Sequence, residues 1–420
     1  MKRREFMKGI MTGAGSGLML ASAPWLKVFS GKAAAPSALE RVRLGIIGVG
    51  DRGSALLQNI QAFALPLNVE IAAICDNYEP NYQRALELTA GKAAGYRDYR
   101  RLLERTDLDG VVVATPLHVH APVTLDALQA GQQVFCEKSM ARTLDDSKAM
   151  YDLHRRTGRI LQVGHQRLFS PIYLDAMKKI RSGELGQITH IRGYWHRNSD
   201  WRRPVPAGRP DLERKINWRL YTEYSAGLFT ELMSHQLQVA SWIKGMQPVS
   251  VVANGGLIYW KGKREVYDHV AALFTYPDDA QFIYDSINSN KHYGVEEQIF
   301  GSRGTLELEV NKIYAETPPA PPAIRRLVHD LEEDLFATIP IGGASWVPET
   351  AVRSEGGYIT GNYRMDETRL QLEAFVGYIR AGQAPEELTR QAYYATVWSL
   401  LAEEAARTGA RLKLEERYHV

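Results

Sequence analysis

Apolar runs alternate with amphipathic stretches in the first part of the chain. The runs VRLGII, VEIAAIC, DGVVVATP, QQVFCEK and ILQVGHQ predict buried strands, since continuous apolar residues are typical of strands covered on both faces. Apolar positions Leu56, Leu57 and Ile60 indicate a helix after the first strand, and further helices are predicted around 81–90 and 123–130. Alternating strands and helices predict a parallel sheet wound on both sides.

The second part of the chain has a different pattern. Strands are predicted at ITHIRGYWHR, VSVVANGGLIY, HVAALFTY, QFIYDSIN and GTLELEV. Helices are predicted over 367–381 and around 391–408. The stretch from ETPPAPPAIRR through PIGGASWVPET is rich in Pro and Gly and predicts a long excursion on the surface.

Composition narrows the class of protein. A chain of 420 residues predicts two domains, and 45% hydrophobic with 24% charged residues is ordinary for a soluble globular protein. The net charge of +3 comes without a basic run of the kind that binds nucleic acid, so we exclude a nucleic-acid partner. Cys75 and Cys136 each end an apolar run, which predicts buried, unpaired cysteines.

The N-terminus carries Arg3, Arg4, Phe6 and Lys8 before a weakly apolar stretch that Gly and Pro interrupt. The stretch is too short and broken to span a bilayer, and Ala33-x-Ala35 offers a cleavage site. This pattern resembles the twin-arginine export signal. It implies a leader over 1–35 and a periplasmic or exported protein that crosses the membrane folded, with its cofactor bound.

A glycine motif follows the first predicted strand, with Gly48, Gly50 and Gly53 in the spacing GxGxxG. Such a loop allows a tight turn, close approach of a pyrophosphate and close helix–strand packing. Asp76 ends the next strand, where a carboxylate accepts hydrogen bonds from the adenosine ribose hydroxyls. No Arg or Lys stands beside Asp76 to neutralise a 2′-phosphate, so we expect NAD as cofactor rather than NADP.

Several separate segments carry a family resemblance. They are the glycine loop, Thr115-Pro116 with His120, Ala130-Gly131, Glu137-Lys138, Gly164-His165-Gln166-Arg167, Gly183 to Gly186, the helix around His235, and FGSRGTLEL. With these the chain resembles the Gfo/Idh/MocA oxidoreductases, the group of glucose–fructose oxidoreductase and inositol dehydrogenase. The resemblance implies an α/β fold with a Rossmann domain over 36–162 and, over 163–420, an α/β substrate domain on a large, mostly antiparallel sheet through which a dimer or tetramer forms.

The same resemblance implies site residues. Those expected at the cofactor, besides the three glycines and Asp76, are Asp51, Arg52, Thr115, Pro116, His120, Glu137, Lys138 and Gln166. The family's catalytic lysine falls on Lys138, where an ammonium beside a cationic nicotinamide is disfavoured and relays a proton more readily. The family usually has a proline after this lysine, often in a cis bond, whereas this chain has Ser139.

A second catalytic group is predicted at SAGLFTELMSHQLQVASW. Glu231 and His235 are four residues apart and therefore share one face of a helix. In the family pattern D-x-G-x-H-x-x-D, this chain keeps the histidine but has Glu231, Met233 and Gln238 at the other positions. An imidazole accepts a hydroxyl proton near neutral pH, and Glu231 would orient it or bind sugar.

Aromatic and polar residues concentrate in GYWHRNSDWRRPVP and KINWRLYTEY. Flat rings with planar hydrogen-bonding groups suit a sugar, although the same residues also build interfaces. Residues predicted to bind substrate are Arg167, His196, Arg197, Trp201, Arg202, Trp218 and Tyr221. No zinc-type His/Cys spacing or GxSxG motif is present, so neither a metal nor a serine nucleophile is expected.

Three functions compete at this point. The first is an exported oxidoreductase that holds NAD tightly and acts on a sugar or glycoside. The second is a redox-neutral glycosidase, in which bound NAD oxidises a hydroxyl transiently so that the aglycone is eliminated. The third is a sugar-binding protein without catalysis, which the changed family positions permit. Lys138 and His235 favour the two enzymes, since a binding protein needs no proton relay.

Overall fold

The computed structural model describes residues 40–316, 356–361 and 365–420. The predicted leader and most of the Pro- and Gly-rich excursion lie outside these residues. Within the described part of the chain, no helix combines the length and apolar character needed to cross a membrane.

A parallel sheet of six strands forms the first half of the fold. Its strands are β1 (Val42–Ile47), β2 (Val69–Cys75), β3 (Ala94–Tyr96), β4 (Gly110–Val113), β5 (Gln133–Cys136) and β6 (Leu161–Val163). They lie in the order β3-β2-β1-β4-β5-β6, and every neighbouring pair is parallel. This is the Rossmann order, which confirms the predicted doubly wound sheet.

Helices cover this sheet. They are α1 (Asp51–Ala64), α2 (Glu79–Leu88), α3 (Tyr99–Leu103), α4 (His120–Gln129) and α5 (Leu144–Thr157). The predicted apolar positions of α1, at Leu56, Leu57 and Ile60, are fully buried. In an open parallel sheet, ligands bind outside the carboxyl ends of the strands where the strand order reverses. Here that place lies between the loops that follow β1 and β4.

An eight-stranded sheet forms the second half. Its strands are β7 (Ile188–His196), β8 (Ser250–Gly256), β9 (His269–Thr275), β10 (Gln281–Ile287), β11 (Val295–Gly301), β12 (Gly304–Glu307), β13 (Lys312–Ala315) and β14 (Gly357–Tyr358). They lie in the order β14-β13-β12-β11-β7-β10-β9-β8. Only the central pair β7 and β10 is parallel, which confirms the mostly antiparallel sheet.

The remaining helices join the two sheets. They are α6 (Pro171–Arg181), α7 (Glu213–Ile216), α8 (Ser234–Lys244), α9 (Glu367–Ala381) and α10 (Glu386–Thr408), with a π-helical turn, Phe229–Met233, leading into α8. Although α9 is near the end of the chain, it packs on α1 and β1, and Phe375 lies 5.8 Å from Phe135 between ring centres. Helix α10 packs on α5 and β6 as well as on α8 and β8. Helix α10 therefore links the two halves of the fold, whereas α9 packs against the first half.

Both cysteines are buried and unpaired. Cys75 ends β2 and Cys136 ends β5, and β1 and β4 lie between these strands. Three strand spacings separate them by roughly 14 Å, whereas a disulfide needs Cα atoms within about 7 Å.

Candidate active site

A cleft of about 840 Å³ lies between the carboxyl end of the parallel sheet and the second sheet. It brings together most of the residues singled out in the sequence: Gly48, Gly50, Asp51, Arg52, Asp76, Thr115, Pro116, His120, Glu137, Lys138, Gln166, Arg197, Trp201, Arg202, Trp218, Glu231 and His235. The side chains that line the cleft come from both domains, so the cleft forms only when the two domains pack against each other.

The glycine loop fits a dinucleotide. Gly48 has φ +86°, and a Cβ there would lie 2.8 Å from the Thr115 nitrogen, while a Cβ on Gly53 would lie 1.9 Å from the Gly48 oxygen. The protein's own packing therefore requires these two glycines. Gly50 differs, because a Cβ there would meet nothing closer than 3.6 Å. Its missing side chain leaves open space in the cleft at the start of α1, where unpaired amides and the helix dipole favour a phosphate.

Asp76 lies at the rim of the cleft at the end of β2. Its Oδ2 accepts a hydrogen bond from the Val49 nitrogen at 2.9 Å, and its Oδ1 accepts one from the Tyr78 nitrogen at 2.8 Å. The amide of Asn81 also donates to Oδ2, at 3.3 Å. The carboxylate is thus fixed beside the glycine loop, with one lone pair on Oδ1 left to accept a ribose hydroxyl. Together with the glycine loop, this geometry fits a dinucleotide.

Lys138 follows β5 and lines the cleft. The peptide bond between Lys138 and Ser139 is cis. Ser139 Oγ donates to the Thr230 carbonyl at 2.9 Å, and Lys138 Nζ donates to the Glu231 carbonyl at 2.8 Å. Burial lowers the pKa of Lys138, against the opposing charges of Glu231 and Glu137. The amine is therefore closer to exchanging its proton at neutral pH than an exposed lysine is.

Glu231 is buried and held from two sides. Arg219 Nε donates to its Oε2 at 2.8 Å, and Ser225 Oγ donates to its Oε1 at 3.1 Å. Burial opposes the charge, but Arg219 and Lys138 outweigh it and lower the pKa of Glu231. A fixed carboxylate of low pKa orients neighbours and balances their charge rather than donating a proton.

His235 lies at the start of α8, 6% exposed, and its Nδ1 is buried without a hydrogen-bond partner. Its ring lies 5.7 Å from Trp195 and 5.5 Å from His165 between centres. Burial, reinforced by the charges of Lys138 and Arg167, holds the pKa of His235 well below 6.5. The imidazole is consequently neutral at neutral pH and able to accept a proton.

His120 joins the loop that follows β4 to the loop that follows β5. Its Nδ1 faces the Ser139 carbonyl and its Nε2 faces the Thr115 carbonyl, each at 2.9 Å. Both partners only accept hydrogen bonds, so both ring nitrogens must carry protons. Although burial opposes the charge, Cys136 and the two carbonyls raise the pKa of His120 to about 9. His120 therefore fixes the backbone beside Lys138 as an imidazolium.

Arg52 and Glu137 make a second link across the cofactor side. Arg52 Nε donates to Glu137 Oε1 at 2.7 Å, and the Lys138 nitrogen donates to Glu137 Oε2 at 3.2 Å. The start of α1 is thereby tied to the end of β5. These bonds fix the position of the glycine loop relative to Lys138.

Aromatic rings and arginines form the opposite wall. Arg197 lies 5.0 Å above the ring of Trp195, and Arg219 lies 4.2 Å above that of Trp218. Trp201 also lines the cleft. The concentration of aromatic and polar residues in the sequence predicted this wall. It did not identify Arg219, whose only distinguishing feature in the sequence is that it follows Trp218. Its pairing with Glu231 appears only in three dimensions.

Four predicted residues are not on the cleft surface. Gly53 packs beneath the glycine loop. His196 follows Trp195 on β7 and, by strand alternation, lies on the opposite face of the sheet, hydrogen-bonded to Asp285. Tyr221 is 6% exposed and donates to Glu213 at 3.0 Å.

Arg167 is the fourth. It is 5% exposed and pairs with Glu297 and, at 2.9 Å, with Glu309. Its guanidinium lies 5.2 Å from the ring centre of Trp195 and so supports the aromatic wall from behind. Within the described residues no cluster of three or more His, Cys, Asp or Glu side chains is arranged to hold a metal ion.

Comparison with protein families identifies both halves of the chain. Residues 42–165 match the model described as "Oxidoreductase family, NAD-binding Rossmann fold", and residues 173–307 match the model of the GFO/IDH/MocA C-terminal domain. The chain belongs to the Gfo/Idh/MocA oxidoreductase family. The first match covers the domain with the glycine loop and Lys138, and the second covers the domain with His235 and the aromatic wall.

The names of individual relatives refer to polyols, glycosides and an anhydrosugar as their substrates. The chain is 26% identical over 271 residues to scyllo-inositol 2-dehydrogenase (NAD(+)) of Bacillus subtilis (strain 168), covering 63% of this chain and 73% of that enzyme. It is 28% identical over 209 residues to glycosyl hydrolase family 109 protein 1 of Shewanella sp. (strain MR-4), covering 47% and 45%. A solved levoglucosan dehydrogenase, in complex with NADH and levoglucosan, has the same fold, with a TM-score of 0.68, 20% identity and coverage of 89% of this chain and 99% of that one.

Proposed function

We propose that this protein oxidises a hydroxyl group of a sugar or glycoside by hydride transfer to a tightly bound NAD. The observation that carries the proposal is the cleft itself, which joins the glycine loop and Asp76 to Lys138, His235 and a wall of tryptophans. The similarity to an inositol dehydrogenase supports the same class of substrate.

The proposed chemistry divides between cofactor and chain. Bound NAD would be held by the start of α1, Gly50 and Asp76, and would supply the acceptor for the hydride that leaves the carbinol carbon. The chain's task is to take the hydroxyl proton. His235 is neutral and has an unpaired Nδ1, and Lys138 has a lowered pKa, so the two form the proton-accepting pair. Glu231 holds Lys138 through its carbonyl and balances its charge.

Replacement of each member of the pair tests this assignment. Lys138→Met and His235→Ala should lower hydride transfer by about 10²–10⁴-fold and leave NAD bound, because acid–base groups contribute about that much. Lys148→Met and His419→Ala, at exposed or ion-paired positions outside the cleft, serve as controls. A Lys138 or His235 variant that oxidises sugar at the parental rate would remove that residue from the mechanism.

NAD is proposed over NADP because the Asp76 carboxylate would repel a 2′-phosphate. The structure adds a feature absent from the local sequence, since Lys215 reaches the Asn77 carbonyl at 3.3 Å from the second domain. Asp76→Ser should therefore weaken NAD binding and raise the affinity for NADP, with Lys215 as the nearby cation. Titration of both dinucleotides against both proteins measures this directly.

A redox-neutral glycosidase is the second candidate, favoured by the similarity to a glycosyl hydrolase family 109 protein. That route passes through a transient ketone, which acidifies the adjacent C–H so that the aglycone is eliminated; water then adds in its place and the hydride returns. A panel of aryl glycosides and a panel of free sugar pairs, both in deuterated water, distinguish the two functions. Aglycone release with deuterium beside the transient carbonyl supports the glycosidase, and a lactone or keto sugar with a matching alditol and no cleavage supports the oxidoreductase. Bound NAD with no reaction in either assay would favour the sugar-binding protein.

Export through the twin-arginine route is part of the proposal, resting on Arg3, Arg4, Phe6 and Lys8. An enzyme that oxidises one sugar and passes the hydride from its bound NADH to a second sugar, or that returns the hydride within one reaction, regenerates its NAD and needs no cytoplasmic pool. Exchange of Arg3 and Arg4 for lysines should keep the precursor in the cytoplasm, whereas normal periplasmic yield would contradict the export proposal. Assembly into a dimer or tetramer through the second sheet is likewise proposed, and light scattering during size-exclusion chromatography tests it.

A further inference from the structure

A segment of the second domain crosses the cleft to the cofactor side. Residues 197–219, here named the cover segment, follow β7 and return towards α1 and β2. Arg203 Nη2 lies 2.7 Å from Asp51 Oδ2, and Lys215 Nζ donates to the Asn77 carbonyl at 3.3 Å. The Lys215 ammonium also lies 5.6 Å from the ring centre of Tyr78. The cover segment is therefore attached to the first domain at two points.

Both attachment points flank the dinucleotide site. Asp51 is the first residue of α1, beside the place for the phosphates, and Asn77 directly follows Asp76, beside the place for the adenosine ribose. Asp51 alone would repel a pyrophosphate. Arg203 neutralises it from above, and Arg84 lies 3.7 Å from it on the first domain. The two contacts therefore lie beside the proposed positions of the phosphates and of the adenosine ribose.

Internal hydrogen bonds make the cover segment one unit. Glu213 pairs with Arg202 and accepts from Asn217 Nδ2 at 3.2 Å. Asn217 Oδ1 in turn accepts from the Arg203 nitrogen at 2.7 Å. These bonds connect the stretch that carries Arg203 with the helix that carries Lys215. When one attachment point is released, the other therefore still holds the whole segment in place.

We propose that Arg203 and Lys215 are cofactor-retaining residues that fasten the cover segment over the bound dinucleotide and keep it on the protein between turnovers. This inference rests on the dinucleotide site of the proposed function. It assigns to the second domain a part in cofactor binding that the glycine motif and Asp76 do not describe.

The expected effect is moderate. Arg203 and Asp51 are 45% and 62% exposed at their side chains, and exposed pairs contribute little each. Loss of both attachments should speed NAD release about tenfold, which corresponds to about 1.4 kcal/mol. Release from the parental protein should also accelerate with salt, because exposed ion pairs are screened.

The test compares two double variants of the same charge. R203Q/K215Q removes both attachments. R209Q/R214Q removes two positive charges from the same segment, but the ion pairs of these arginines stay within the second domain: Arg209 pairs with Asp211, and Arg214 pairs with Glu223 and Glu265. NAD-loaded full-length proteins are mixed with an excess of a fluorescent NAD analogue, and the rate of exchange is followed. The first variant should release NAD about tenfold faster than the parent, and the second at the parental rate.

Equal acceleration in both double variants would overturn the inference, since bulk charge would then explain it, and so would an unchanged rate in R203Q/K215Q. The outcome is separable from the proposed function. If NAD release follows the prediction but no sugar reduces the bound NAD, the dehydrogenase proposal fails and the retaining role of Arg203 and Lys215 stands. If sugars reduce the bound NAD but R203Q/K215Q releases NAD at the parental rate, the dehydrogenase proposal stands and the retaining role of Arg203 and Lys215 fails.

Discussion

Substitution of Gly50 by alanine should weaken NAD binding strongly in a chain that still folds. At Gly50 the backbone is extended, with φ −63° and ψ −162°, and so lies outside the left-handed region that favours glycine, and the new Cβ would meet no atom nearer than 3.6 Å. We therefore expect a change of at most about 0.5 kcal/mol in the free energy of unfolding. The methyl group instead occupies the space above the start of α1, where it would push a phosphate away from the helix amides.

The loss in affinity follows from those amide contacts. A hydrogen bond to a charged group contributes about 1.5–3 kcal/mol, so one lost contact weakens NAD binding by roughly 10- to 100-fold. Gly53→Ala provides the contrast, because its Cβ would lie 1.9 Å from the Gly48 oxygen. Overpacking of that kind costs about 1–3 kcal/mol or more, so Gly53→Ala should lower stability as well as binding.

Urea unfolding and calorimetric titration with NAD separate the two effects. Gly262→Ala is the control, since its Cβ would meet nothing within 4 Å and it lies outside the glycine loop. If Gly50→Ala bound NAD like the parent while folding normally, the phosphate position assigned to this loop would be wrong.

Three further predictions concern the charges around the site. Arg219→Gln leaves the buried Glu231 carboxylate with Ser225 as its hydrogen-bond donor and Lys138 as its nearby positive charge, and should cost about 1–2 kcal/mol in urea unfolding, less than a fully buried pair because Arg219 is 35% exposed; Arg214→Gln should cost less than half of that. His120 has its pKa raised from 6.5 to about 9, so its stabilising effect is complete below pH 6.5 and is lost as pH rises through 9. His120→Gln should thus be less stable than the parent by on the order of 3 kcal/mol at pH 6, and a difference that does not shrink towards pH 9.5 would contradict the imidazolium. Since the pKa of His235 lies well below 6.5, its imidazole should stay neutral around pH 6.5, and NMR signals of the His235 ring that titrate near pH 6.5 would contradict the buried, neutral imidazole.

The elements with a strong local pattern were predictable from the sequence. The helix over Glu367–Ala381 has the predicted bounds, because Asp366 caps it and Gly382 ends it in a left-handed conformation. The last helix begins at Glu386, five residues earlier than predicted. Its first turn is acidic, which favours a helix start electrostatically but interrupts the apolar pattern used for the prediction.

Strand β11 shows why the remainder was not predictable. Its sequence VEEQIFG has Glu296 and Glu297 at positions only 3% and 0% exposed. Polar residues at buried positions hide the alternation of a strand. Glu297 is buried because Arg167, distant in sequence, pairs with it, and no local pattern contains that information.

The same limit applies to the site. The glycine loop and Asp76 are local signals, so their place in the cleft was predictable, and the family resemblance supplied Lys138 and His235. Arg219, Arg203 and Lys215 were not predicted as cofactor or catalytic neighbours. Their partners Glu231, Asp51 and Asn77 come close only after two domains fold against each other.

A single-turnover measurement tests the central claim most directly. Purified protein loaded with NAD, without free dinucleotide, is mixed with a panel of sugars and glycosides while the near-ultraviolet absorbance of reduced nicotinamide is recorded. We predict reduction stoichiometric with the bound NAD for at least one sugar, slower when the carbinol carbon bears deuterium, and absent in Lys138→Met on the same timescale. Bound NAD that stays oxidised with every sugar, with no glycoside cleaved, would contradict the assignment of this cleft to hydride transfer.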